Sequence, residues 1–267
     1  MTFSGATKTM NTPGITQVTL ATNTGATINF TGGGLAITST AATGFTATGG
    51  GTISVQGTVN TISSTTGTAL NVANTTIGAS GLIFQSISSN GGTATGIILD
   101  NTGASAGLTV TGTGSAGTGG TIANKTGADG STTTGIGIYL NNTRSISLTR
   151  MQLNDFQNFA IRGLSVVDFT MDNCVINGTN GTVVNEGSVQ FTGLTGSALV
   201  TSCNISGAIE DNFRVVNTSG VLNRITFTST IIGANSNALG SDGIFIEAQS
   251  TANINATIQN SFFYTFA

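Results

Sequence analysis

The chain has 267 residues, of which 39 are glycine, one is proline and only 6% are charged, with a formal net charge of −3. Glycine at about twice its usual share without a three-residue period excludes collagen, and the apolar content at so low a net charge excludes a chain that stays disordered. Histidine and tryptophan are absent and the seven basic residues are scattered singly, so the commonest general base and metal ligand are missing and nothing offers a footprint for nucleic acid.

At the N-terminus, MTFSGATKTM has no apolar run and no small-residue cleavage signal, so this stretch is not a secretory signal. We expect the signal to have been removed or, preferably, the sequence to be an excerpt of a longer chain. No apolar run approaches the roughly 20 residues of a membrane helix, so no membrane insertion is expected within this segment. Helix signals are almost wholly lacking, because Thr, Gly, Ser, Asn and β-branched residues fill nearly every window. Short alternating runs bounded by turn residues predict strands at Thr27 to Phe30, Thr52 to Val55, Ala69 to Val72 and Leu108 to Val110.

Three glycine-rich stretches match chemical motifs only in letters. Gly103-Ala-Ser105-Ala-Gly107 has the spacing of a nucleophile elbow, yet no histidine exists to activate Ser105. Gly112-Thr-Gly114-Ser-Ala-Gly117 is followed by Thr118-Gly119-Gly120-Thr121, which cannot start the helix a dinucleotide phosphate needs. Lys125 lacks the preceding glycine of a phosphate loop. The first two read as glycine-rich turns or loops, and the third is discarded.

The C-terminal half repeats. Five eight-residue segments starting at Ile146, Phe169, Ala198, Ile225 and Ala256 align without gaps. Their third column is Leu148, Met171, Val200, Phe227 and Ile258, and their eighth is Leu153, Ile176, Ile205, Ile232 and Phe263. These columns and the first are apolar throughout, so we expect two continuous buried stacks. The fifth column, Arg150, Asn173, Ser202, Ser229 and Asn260, suits a bend; the sixth holds Cys174 and Cys203, whose spacing permits a disulfide while ordinary core packing favours free thiols. Starts differ by 23, 29, 27 and 31 residues, which means corners of variable length.

Period-two alternation, a bend, and resumption describe a chain that coils with one face always inward. The expected fold is therefore all-β: one domain, residues 1–267, forming a right-handed parallel β-helix (solenoid) of about nine or ten turns, with an antiparallel β-sandwich as the alternative. The stretch Gly135-Ile-Gly-Ile-Tyr-Leu-Asn-Asn-Thr-Arg-Ser-Ile-Ser-Leu-Thr-Arg-Met151 and the FTMDNCVI and ITFTSTII segments resemble the pectin-lyase-like β-helix repeat regions of large bacterial secreted and cell-surface proteins, from about Thr68 onward and only in composition before it. The resemblance implies a secreted or bacterial cell-surface setting and an adhesin-like role. It carries over no functional residue.

Polysaccharide cleavage by such a fold would need two carboxylates about 5 to 9.5 Å apart, or calcium in an acidic cluster. Asp168 and Asp172 are too far apart if extended, Glu210 and Asp211 point to opposite faces, and only Asp155, Asp242 and Glu247 could converge between rungs. Threonine pairs at 38/40, 46/48, 93/95, 109/111 and 226/228 raise an ice-binding face, but they do not recur at one rung position, and Thr226 and Thr228, flanked by inward Ile225 and Phe227, read as ordinary solvent-face strand formers. The expectation is a non-catalytic scaffold or adhesin segment with no catalytic, cofactor or metal residues, whose partners are surface glycans or other proteins and the neighbouring rungs of a longer chain. A carbohydrate-active β-helix is the alternative, and an ice-binding solenoid ranks below it. The ends, including Phe262, Phe263, Tyr264 and Phe266, offer nothing to cover a terminal rung, so end-to-end association is expected.

Overall fold

The computed structural model describes residues 1–233 and 242–264, which form 26 strands and no helix. Each coil of the chain lays one strand on each of three faces, and the ladders between coils are parallel. The first face runs from Thr2–Phe3 to Asn253–Gln259, the second from Lys8–Met10 to Phe262–Phe263, and the third from Val18–Ala21 to Ile244–Ala248. The result is a parallel β-solenoid of about nine turns. Three long strands, Ile136–Thr149, Phe159–Asp172 and Gly187–Thr201, pass from the third face into the first without leaving the ladder, which merges those two faces into one sheet.

The sequence register is the structural register. Leu148 pairs with Met171, Met171 with Val200, Val200 with Phe227 and Phe227 with Ile258. On the second face Leu153, Ile176, Ile205, Ile232 and Phe263 follow one another in the same way. Strands stand at Thr27–Phe30, Thr52–Val55 and Leu108–Val110 as expected, and the fourth is Leu70–Ala73, one residue later than read.

One expectation needs correction. The stacks are buried only as far as the ninth rung, for Ile258 and Phe263 are 49% and 43% exposed, having a rung on one side and none on the other among the described residues. Phe266 lies outside the described residues. As the fold expected over the whole chain requires, rungs are present before Thr68, where the resemblance is only compositional: Phe3 pairs with Phe30 and Phe30 with Val55.

The fifth column is the bend. Arg150, Asn173, Ser202, Ser229 and Asn260 all have φ between 50 and 58°, a left-handed conformation that turns the chain from the first face to the second in a single residue. The sixth column follows it inward, and its hydroxyls and thiols are satisfied locally. Cys203 Sγ, Thr230 Oγ1 and Ser261 Oγ donate to the carbonyls of Thr201, Thr228 and Gln259 at 3.2, 3.2 and 3.0 Å. That is how small polar groups sit in an apolar column at little cost. Cys174 and Cys203 are buried free thiols; the Cys174 sulfur and burial push the Cys203 thiol well above its usual range.

Packing within the column is tight. Phe169 and Phe191 meet edge to face at 4.8 Å, and Phe213 and Phe227 at 4.9 Å. Gly163 makes room for this, because a Cβ there would lie 2.2 Å from Cδ1 of Phe191 on the next rung.

Candidate functional site

The third face carries the most chemically diverse outward column. Its strands repeat a triplet in which two inward residues flank one outward residue: Ile138-Tyr139-Leu140, Ile161-Arg162-Gly163, Val189-Gln190-Phe191, Phe213-Arg214-Val215 and Ile244-Phe245-Ile246. Ladder pairing stacks the central residues on successive rungs in the order Ile98, Tyr139, Arg162, Gln190, Arg214, Phe245. At about 4.8 Å per rung this is an aromatic and guanidinium stripe running along the solenoid axis.

The stripe is held in place. Arg162 lies over the buried Phe159 ring at 4.8 Å and donates to Gln190 Oε1 at 3.0 Å. Arg214 lies over Phe245 at 4.3 Å and pairs with Asp211 at 2.8 Å. Such stacked guanidiniums keep their charge while losing little freedom on binding. Burial lowers the pKa of Arg162 from its ordinary value, opposed by Tyr139 and Glu186. Burial raises that of the Tyr139 phenol, and Asp100 adds to it.

Two loops wall one edge of the stripe, and buried Glu186 ties them together. Its carboxylate accepts from the N–H groups of Gly130, Thr182 and Val183 at 2.9, 2.8 and 3.1 Å, joining loop 126–135 to loop 181–186. Thr182 and Gln157 both donate to Asp129, at 2.7 and 2.6 Å, and hold its carboxyl below the usual range. Between loop 126–135 and the face lies a groove of about 220 Å³ lined by Thr95, Ile98, Asp100, Thr133 and Tyr139. A second groove, about 260 Å³, opens at the corner around Asn124, Asp155, Gln157, Thr179 and Thr182.

The carboxylates weighed from the sequence are dispersed. Asp168 sits at a left-handed bend, accepts from the Ser197 N–H at 2.9 Å and lies 3.6 Å from Arg144, whereas Asp172 accepts from the Asn173 amide. Glu210 takes the Asn185 N–H while Asp211 accepts from Arg214. Asp155 belongs to the second face, where it accepts from Thr179 at 3.1 Å; Asp242 and Glu247 belong to the third, and Asp242 donates its N–H to Asp211. No three His, Cys, Asp or Glu side chains among the described residues group as they would around a metal ion. The glycine-rich stretches lie in turns outside strands, with Gly103, Gly112, Gly114 and Gly117 all at positive φ.

The stripe is invisible when only the first-face segments are aligned, and stacking the third-face triplets in the same gap-free way exposes it. Lys125 ends the strand Thr121–Lys125 and is buried inside the solenoid. No family model, curated protein or solved structure matches the chain.

Proposed function

We propose that the protein is a non-catalytic, adhesin-like scaffold of the secreted or bacterial cell-surface kind, with the pectin-lyase-like architecture its rungs resemble, and that its third-face stripe holds surface glycans. The observation that carries this reading is the axial order Tyr139, Arg162, Gln190, Arg214, Phe245 beside loops pinned by Glu186. Sugar rings bind through their apolar faces and a fringe of hydroxyls. Aromatic rings supply the first contact, and guanidinium and amide groups in fixed geometry supply the second. A rigid one-dimensional stack presents such groups at a regular spacing along an extended chain. The neighbouring carboxylates Glu186, Asp129 and Asp211 each spend their lone pairs on loop N–H groups, side-chain donors or Arg214, in keeping with positioning and not proton transfer.

The alternative is a carbohydrate-active solenoid, and the feature that favours it is Asp100 beside Tyr139 in the same groove. One experiment separates the two. The protein is titrated with a panel of soluble polysaccharides while released reducing ends and unsaturated uronates are measured. Binding that Tyr139→Ala and Arg162→Ala abolish, without product, supports the scaffold. Product that Asp100→Asn abolishes establishes the enzyme, and no binding to any glycan overturns the adhesin reading.

A further inference from the structure

The first face carries a different surface, independent of the stripe. Its outward residues form two columns: Thr109, Ser147, Thr170, Leu199, Thr226 and Thr257, and beside them Thr149, Asp172, Thr201, Thr228 and Gln259. Of the five threonine pairs in the sequence, 109/111 and 226/228 belong to this face, whereas Thr38 lies on the second face, Thr46 and Thr48 lie on the third, and Thr93 and Thr95 lie outside strands. Thr109 and Thr226 share a column, with hydroxyl side chains on most of the intervening rungs. From the Ser147 rung onward the corner into the second face is one left-handed residue per turn, and loop 111–120 from the preceding turn lies against the first of these corners, at Arg150.

We infer that this face is an ice-binding surface. Its hydroxyls form a grid of about 4.8 Å between rungs and about 6.6 Å along each strand, from i to i+2. Both repeats are close to those between oxygen atoms on the faces of hexagonal ice. Threonine is stiff at χ1, so a ladder-locked strand fixes each hydroxyl and methyl before any contact is made, and little freedom is lost on adsorption. The hydroxyls of Thr109, Ser147, Thr149, Thr170, Thr201 and Thr226 have no hydrogen-bond partner within the protein, which leaves them to order water. Charge, which disrupts such a layer, enters the two columns only at Asp172.

The test is slow, seeded freezing of a dilute solution. The share of protein taken into the ice is compared with that of a similar-sized inert protein, alongside ice-grain growth on annealing. Wild type is expected to enter the ice and slow grain growth. Thr201→Tyr with Thr226→Tyr should drop to the inert level with an unchanged melting temperature, whereas Asn177→Tyr on the second face and Arg162→Ala on the glycan stripe should leave uptake as it was. Asp172→Thr with Gln259→Thr, which completes the grid, should raise uptake above wild type. Exclusion of wild type from ice, or equal uptake by the Thr201/Thr226 double variant, overturns the inference without bearing on glycan binding.

Discussion

Lys125 Nζ donates to Ser89 Oγ at 2.6 Å and to the Gly91 carbonyl at 2.7 Å, placing an ammonium group inside the solenoid with no carboxylate paired to it among the described residues. Ser89 in turn donates to the Gly67 carbonyl at 2.6 Å and stacks on Ser64 and Ser39, so the cation caps a buried hydroxyl column. Desolvation lowers its pKa from 10.5 to about 8.

Stability therefore depends on pH with a definite sign. Below about pH 8 the lysine is charged in both states and folding bears the full desolvation cost. Between about pH 8 and 10.5 the folded state has released the proton while the unfolded state still holds it, so stability rises with pH. Above that window the contribution is constant. The difference in denaturant midpoint between wild type and Lys125→Met isolates it, because the high-pH ionisation of Tyr139 is common to both. A difference that stays flat from pH 7 to 10.5 refutes a charged, buried Lys125.

Replacing Ile205 by Asp should abolish cooperative folding. Its neighbours above and below in the column are Ile176 and Ile232, and all three are buried. Lost burial costs about 2–3 kcal/mol, and an unpaired polar group in that column adds several more. A calorimetric melt at the wild-type temperature would falsify the register of the second face.

Gly163→Ala should destabilise by about 1–3 kcal/mol, since the new methyl collides with the Phe191 ring. Phe191→Leu in the same chain should recover part of that loss, a coupling that a double-mutant cycle measures directly. Simple additivity of the two changes is the outcome that removes the contact as the cause.

Cys174 and Cys203 should remain thiols. Alkylation without reductant should be slow in the native protein and should modify both on unfolding, because the Cys174 sulfur and burial hold Cys203 protonated. An unfolded chain that takes up no alkylating agent until a reductant is added shows a disulfide instead.

Most of the core is legible in the amino-acid order, for a definite reason. A solenoid rung contacts only its neighbours, so inward positions such as Leu148, Met171 and Val200 must match one another and a gap-free alignment finds them. Outward positions obey no such rule. Tyr139, Arg162 and Gln190 share a column without sharing a chemistry, and the alternation that shows they face out says nothing about what they do together. Lys125 is illegible for another reason, since period two from the inward Ile122 would turn it outward, as its charge also suggests, and the left-handed Asn124 shifts it inward instead. Only the backbone carbonyl of Gly91 and the hydroxyl of Ser89, supplied from 34 and 36 residues away, resolve the conflict. The first-face hydroxyl grid falls between these cases, for its members already stand in the second and fourth columns of the gap-free alignment, and only their mixed chemistry hides them.

The unequal corners set the terms on which the molecule can change. The step from Val110 to its ladder partner Leu148 spans 38 residues and the next, to Met171, spans 23, yet the three side chains occupy one column. Length is absorbed at 111–120 and 126–135 and never reaches the walls, so insertions there are neutral to the cross-section. A foreign segment set into 111–120 would alter what the column displays while every load-carrying contact kept its address. The solenoid in this sense behaves as a mast with interchangeable fittings, whose rigging can diverge far faster than its timber.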